Sequence, residues 1–398
     1  MTRLVRSMSR PRLAGVATAL AVVSLAAACS KSTSNTASVT PPNGGGGASS
    51  ASAAPNAVLE QVYKGTMTAP SSASRPAVKG KSIWIISAGQ SSESSSVPVN
   101  AAADAARTIG WKVHIYDTQL NPANAPTGVS QALAAHADGI IVDGDCSFER
   151  SQLEQAKAKG VVVVPIYGYD CNDPYSGKSN EQLFTGYTNY GPAANKNLAA
   201  FAESYGFAQG QAVIAATNGK AQALVFNDPQ STVVHYLTVG FNRAIRQCSG
   251  CKVVQQIDFN GLQLGPQLQQ IAAAAILRHP EVNAIKSAFA AATLLSIAPA
   301  VQQSGRAGSI YVMGGEGFQD ELDLLRNHQG VNAVMISPSD WTGWSAVDSM
   351  NSLFRGEKPA FSGLGWQLVD ATHNLPASGP WIPPVDFKAV YEKAWGVS

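Results

Sequence analysis

Three stretches decide the fold: GKSIWIISAGQ at 80–90, DGIIVDGDC at 138–146 and KAKGVVVVPIYGYDC at 157–171. Each carries a short run of Ile and Val, apolar at consecutive positions and bounded by glycine or polar residues. A strand without alternation is buried on both faces, as in a parallel sheet covered by helices. The pattern recurs outward from these runs. Strands are expected at 83–86, 113–116, 139–143, 161–167, 223–227, 253–259, 284–289, 309–314 and 333–337. Helical spacing lies between them: Val99, Ala102, Ala103, Ala106 and Ile109 share a face before Gly110, and Leu153, Ala156 and Ala158 precede Gly160. Pro266 stands at the first position of a helix over 266–277, and 291–303 repeats the theme. Strand–helix alternation means an α/β chain of doubly wound parallel sheets with right-handed crossovers. Ligands of such sheets sit at the carboxyl ends of the strands. The stretch from Lys81 to Ser398 exceeds the ~250–300 residues at which a single core stops growing, so two lobes are expected.

The start of the chain reads differently. Arg3, Arg6, Arg10 and Arg12 precede an apolar run from Ala14 to Ala28, and Ala26, Ala27 and Ala28 lead into Cys29. A basic start, a short apolar stretch and small residues describe a signal peptide over 1–28, and the run is shorter than the ~20 residues of a spanning helix. The placement of Cys29 resembles a bacterial lipobox, with Leu25 four positions before the cysteine instead of three. That likeness implies a lipid on Cys29 and an extracytoplasmic protein anchored to the cell membrane. Residues 29–58 hold almost no large apolar side chain and are expected to form a flexible linker. Without the leader's four arginines the formal charge falls from +2 to −2, which offers nucleic acid no attraction.

Four further cysteines suit an oxidising compartment. Cys146 and Cys171 each follow a strand-like run, and adjacent parallel strands would bring them together. Cys248 and Cys251 then close the small loop of QCSGCK, placed between a helix-like run and a strand where a structural staple fits better than a redox motif. One CxxC makes no zinc site. The chain holds no G-x-S-x-G elbow, no Walker lysine loop and no H-E-x-x-H helix, and its six histidines show no ligand spacing. No enzyme, cofactor or metal is expected.

Beyond the three opening stretches stand YTNYGPAANKNLAAF (187–201), GKAQALVFNDP (219–229), VGFNRAI (239–245), SGRAGSIYVMGGEG (304–317) and NAVMISPSDWTGWSAVDSMNSLFRGEKP (332–359). In this order and spacing, over about residues 80–365, the chain resembles the type I periplasmic binding proteins, the sugar-type (ribose-binding-like) subunits of bacterial ABC importers. The resemblance implies two lobes joined by three hinge crossovers, near 186–189, 337–338 and 361–365. The first lobe would comprise 81–187 with 339–358, the second 188–337 with 362–398. It also implies a monomer that takes a small solute, a sugar or polyol, into the interlobe cleft and delivers it to a permease and its ATPase.

Ligand contacts are expected after successive strands: Gln90, Asp145, Tyr169, Asn227, Asp228, Phe289, Glu316, Asp340 and Trp341. Carboxylates and amides suit hydroxyl groups, and aromatic faces cover a sugar ring. Each has a competing structural role. Asp145 can cap the next helix, Asn227 and Asp228 can turn the chain before Pro229, Glu316 can sit in an exposed turn, and Phe289 and Trp341 can be core aromatics. Sugar-type members commonly carry Arg three residues before the Gly-Phe pair; here that position is Leu237, ahead of Gly240 and Phe241. With Ala88 and Ala288 at strand ends, an aromatic or amphipathic ligand is the alternative to a sugar. A sensing lipoprotein that signals to a membrane receptor uses the same cleft and is the alternative to import.

Overall fold

The computed structural model describes residues 55–397; the expected leader, Cys29 and most of the expected linker lie outside the described residues. Helix α1 (Pro55–Lys64) comes first, so the end of the segment expected as linker is helical. After it come β1 (Ser82–Ser87), α2 (Glu93–Thr108), β2 (Lys112–Asp117), α3 (Ala125–Ala134), β3 (Gly139–Asp143), α4 (Arg150–Ala158) and β4 (Val162–Ile166). The four strands form a parallel sheet ordered β2-β1-β3-β4. The absence of alternation in β1 has a direct cause. Ile83 and Ile85 enter one core with Val99 and Ala102 of α2, while Ile86 enters the opposite core with Val129 of α3 and Leu153 of α4.

The second lobe repeats the plan with α5 (Leu198–Ala216), β5 (Gln222–Asn227), α6 (Thr232–Gln247), β6 (Lys252–Asp258), α7 (Pro266–Arg278) and β7 (Ala284–Lys286). A short α8 (Ala290–Ala292) runs through a π turn into α9 (Ala298–Gln303), followed by β8 (Tyr311–Met313), α10 (Gln319–Arg326) and β9 (Ala333–Ile336). Then come α11 (Ser339–Phe354), β10 (Gln367–Asp370) and α12 (Phe387–Trp395). The sheet order is β10-β9-β8-β7-β5-β6, parallel except for β10 against β9. Strand β7 stops at Lys286, short of the expected 289, because Phe289 is the N-cap of α8. Strand β10 escaped the sequence pattern because its apolar run is only Leu368 and Val369, between Gln367 and Asp370. Helices α5 and α6 pack closely through Gly240, where a Cβ would run into the carbonyl of Glu203.

Helix α11 returns to the first lobe against α2 and β4. The chain crosses at Asn189 and Phe361, which share a parallel bridge, and the Ser362 amide donates to the Asn189 carbonyl at 3.0 Å. Residues 362–398 do not all join the second lobe as expected. Strand β10 does, but α12 packs on α11, with Phe387, Tyr391 and Trp395 in the core of Trp341, Trp344 and Val99.

Residues 65–78, which carry no regular period, form a strap alongside the hinge. Val62 of α1 is buried with Tyr205 and Leu368 in the second lobe. The chain then runs beside the last crossover, with the Thr66, Thr68 and Ser71 amides donating to the carbonyls of Trp366, Gly363 and Phe361 at 2.9–3.0 Å. Gly363 has φ +76° and no room for a Cβ, because the strap lies directly over it. The strap ends in the first lobe, where Arg75 meets Asp348 at 2.6 Å with both side chains at most 4% exposed. Trp395 Nε1 donates to the same carboxylate at 2.7 Å. Removing one member of a buried ion pair leaves the other charge without compensation. Arg75→Ala is therefore expected to cost roughly 3–5 kcal/mol in urea unfolding; a loss below about 1 kcal/mol would contradict this role of the strap.

Candidate functional site

The loops after the strands of both lobes converge on one cleft. From the first lobe come Ala88 after β1, Thr118 and Leu120 after β2, Asp143 to Asp145 at the end of β3, and Tyr167 after β4. From the second come Asp228 after β5, Gly261 after β6, Phe289 after β7 and Glu316 after β8. They enclose a cavity of about 220 Å³. A chamber of about 90 Å³ shares Tyr167, Phe289 and Glu316 with it and is walled by Leu198, Phe201, Tyr205, Leu237 and Ala288. Leu237 thus makes an apolar wall of this chamber.

One carboxylate spans the lobes. Asp145 Oδ1 accepts from the Tyr169 amide at 2.8 Å, within its own lobe, and Oδ2 accepts from the Thr232 amide of α6 at 2.9 Å, in the other. The N-cap residue of α6, Ser231, makes no side-chain cap of its own. Asp145 therefore caps α6 from across the cleft, where a negative charge also favours the positive end of the helix dipole. Beside it Tyr169 stacks on Tyr236 with ring centroids 5.0 Å apart, and the Tyr236 hydroxyl donates to Asp173 at 2.8 Å. The Cys146–Cys171 disulfide, as expected, ties together the loops that carry Asp145 and Asp173. A backbone hydrogen bond holds the same two loops: the Cys146 amide donates to the Tyr169 carbonyl at 2.9 Å. Cys248 and Cys251 also pair as expected, far from the cleft at the end of α6. Among the described residues the one group of three convergent metal-ligand side chains is Cys146, Asp170 and Cys171, and its two sulfurs are consumed in that disulfide.

Of the nine expected contacts, Asp145, Asp228, Phe289 and Glu316 line the cavity. The other five stand elsewhere. Gln90 turns back to donate to Ser87 Oγ at 2.8 Å. Tyr169 is buried in the stack with Tyr236 beside the cavity. Asn227 points sideways and donates to Asp258 at 2.8 Å. Asp340 turns to an amide in the first turn of its own helix, accepting from Trp341 at 2.8 Å. Trp341 is fully buried in the first lobe, stacked on Phe387 at 4.9 Å and donating to the Ser362 carbonyl at 2.9 Å. Lining residues that the sequence reading did not select include Asp143, Phe148, Glu149 and Tyr167. Asp143 is the last residue of β3, so the strand-end rule could have found it; Glu149 lies in a turn with no such signal.

Burial dominates the electrostatics. It pushes the Asp143, Asp145 and Asp228 carboxyls up to about 6, opposed by their hydrogen bonds. Glu149, buried and close to the Asp145 charge, is pushed up to about 8. Burial also raises Glu316, which accepts from the Ala290 amide at 2.5 Å, and lifts Glu321 behind it to about 7. Lys286, at the back of the cleft, is driven down to about 7 by burial and donates to Thr238 at 3.2 Å.

The family model described as a periplasmic binding protein domain matches residues 85–358. No curated protein matches the chain. Several solved structures are similar. An ABC transporter solute-binding protein from Agrobacterium vitis, bound with α-D-tagatopyranose, shares 16% identity with a TM-score of 0.63, over 74% of this chain and 95% of that one. One from Burkholderia graminis in complex with D-arabinose shares 18% with a TM-score of 0.61, over 76% and 99%. A 5-methylthioribose transporter solute-binding protein from Thermotoga lettingae, in complex with 5-methylthioribose, shares 17% with a TM-score of 0.62, over 82% and 100%.

The raised carboxyls have a consequence for stability. A carboxyl whose folded pKa lies above its unfolded value binds protons more tightly in the folded state, so its contribution grows as pH falls through the folded pKa towards the unfolded one. For Asp143, Asp145, Glu149, Asp228 and Glu321 that window covers pH 7 to 5; His235 and, near pH 7, Lys286, both lowered by burial, oppose these five. The melting temperature is expected to rise between pH 7 and pH 5 in calorimetry, and a fall would contradict the dominance of burial over hydrogen bonding at these groups.

Proposed function

This chain belongs to the periplasmic binding protein domain family, and from that membership we propose that it captures a small solute, a sugar or polyol, between its lobes and delivers it to an ABC importer. The family is one of binding proteins, and the chain has the two-lobed α/β fold of ABC sugar-binding proteins. The observation that carries the proposal is the cross-lobe cap: Asp145 of one lobe holds α6 of the other directly beside the cavity. A solute seated there touches both lobes at once, so it favours the closed arrangement over an open one by whatever affinity it gains from the second lobe. Closure of this kind is a hinge motion, and the closed shape is what a permease would recognise.

The rest of the reading follows the chain's ends and its relatives. In this reading the protein works outside the cytoplasm as a monomer, carried on a lipid at Cys29, with a permease and its ATPase as partners. No helix among the described residues is long and apolar enough to cross a membrane. The apolar chamber around Leu237 favours a solute with an apolar part beside its hydroxyls. The similar protein that is in complex with 5-methylthioribose is a precedent for such a mixed solute.

Thermal-shift screening against sugars, polyols, nucleosides and small aromatic acids tests the proposal, since a ligand of the native state raises stability by mass action. A shift is expected with at least one hydroxylated solute. For that solute, calorimetry should show affinity more than tenfold weaker in Glu316→Ala, and likewise in Asp145→Ala, where loss of the cap depopulates the closed form. Unchanged affinity in both variants would contradict this placement of the binding site.

A further inference from the structure

The charged lining of the cleft is one-sided. Asp143, Asp145, Glu149, Asp228 and Glu316 all line the cavity, and among the described residues no Lys, Arg or His lines it with them. Lys286 stands behind the wall, fully buried and committed to Thr238. Protein donors answer most of these carboxyls: Ala88 and Ser95 for Asp143, Tyr169 and Thr232 for Asp145, Gln230 for Asp228, and Ala290 for Glu316. Glu149 is the exception. It is only 2% exposed, it lines the cavity, and its Oε2 has no hydrogen-bond partner among the described residues. A carboxyl so deeply buried and left without a partner is costly unless something that enters the cavity supplies one.

The chemistry of that supply can be narrowed. A bare metal ion needs several oxygens drawn to one point. Among the described residues no three of these carboxyls bring their oxygens within 4.8 Å of one another. A hydroxyl brings one donor together with lone pairs, for which the lining offers neutral hydroxyls and amides such as Ser94 and Gln230, whereas an ammonium brings three donors, no lone pair and the positive charge that the carboxyls lack. Phe148, Tyr167 and Phe289 complete the wall, and aromatic rings attract organic cations. The chamber beside Leu237 takes an apolar or ring portion.

We propose that the solute is a small organic amine, its ammonium group held between Glu149 and Asp145 and its body extending toward Phe289 and Leu237. This rests on the solute-binding reading and narrows it: an amino-bearing polyol, amino sugar or arylalkylamine fits, and the neutral counterpart binds less well. Burial keeps a proton on Glu149 while the cavity is empty; that proton leaves to solvent as the ammonium pairs with the carboxylate, and the cleft's carboxylates then reject anions by repulsion and favour cations by complementary charge.

Matched pairs differing only in an amine for a hydroxyl test this by calorimetry at pH 7: N-methylglucamine with glucitol, glucosamine with glucose, and benzylamine with benzyl alcohol. In at least one pair the amine is expected to bind ten times more tightly than its partner, with an affinity that falls as salt is raised while the neutral compound's does not. The amine's advantage should shrink below threefold in Glu149→Gln, which keeps the side-chain shape, and persist in Asp104→Asn on the exposed face of α2. The salt dependence of the unaltered protein is read independently of any variant. Equal or tighter binding of the neutral member in every pair that binds overturns this inference and leaves the solute-binding reading standing. Silence toward both members of every pair, with silence across the sugar and polyol screen, overturns the two together.

Discussion

The structure depends on where the Asp145 carboxylate finds its donors. A carboxylate withdrawn from water must be met by hydrogen bonds, and this one takes one from Tyr169 in its own lobe and one from Thr232 in the other. Both conditions reach far into the fold. Tyr169 is in place because β3 and β4 are neighbours in a parallel sheet and because a disulfide ties the loops that follow them. Thr232 is in place because α6 packs against α5 through Gly240 and starts immediately after the turn that leaves β5. Had either sheet been shifted by a residue, the cap could not close.

Two opposing effects meet at this point. The cap, the Tyr169–Tyr236 stack and the Tyr236–Asp173 hydrogen bond draw the lobes together. Five carboxyls are also withdrawn from water in this arrangement, and burial raises them all. Under the proposed function, a solute that supplies donors or charge tips this balance toward closure and so couples recognition to shape. The strap adds a further constraint. It is anchored in the second lobe through Val62 and in the first through Arg75, and it runs beside the crossover at Phe361 to Trp366. Any hinge motion must therefore bend four strands of chain instead of three.

Much of the fold could be read from the residues because burial on both faces of a strand leaves a run with no alternation. Ile83 to Ile86 and Gly139 to Asp143 are instances, and their ends point to the cleft. Asp145, Asp228, Phe289 and Glu316 were found by that rule, since each follows a strand in the parallel sheets. Gln90 and Asn227 follow strands too, but height along a strand does not set the direction of a side chain, and both turn to protein partners. Trp341 was misplaced for a different reason: its partner Phe387 comes from α12, whose return to the first lobe has no local signal. The strap was invisible because an irregular segment carries no period, and β10 because it offers only Leu368 and Val369 as an apolar run. Glu149 could not be singled out because its importance comes from a missing partner, which only the packed structure reveals.

The central claim is that a solute in the cleft closes two lobes that meet at the Asp145 cap. Gln119 and Leu262 are exposed residues on opposite lips, beside the cavity-lining Leu120 and Gly261. Spin labels at these two positions report the width of the mouth directly. Addition of a solute that binds should shorten the label-to-label distance and narrow its distribution. A distribution that stays the same when the site is saturated would contradict closure as the working motion of this protein.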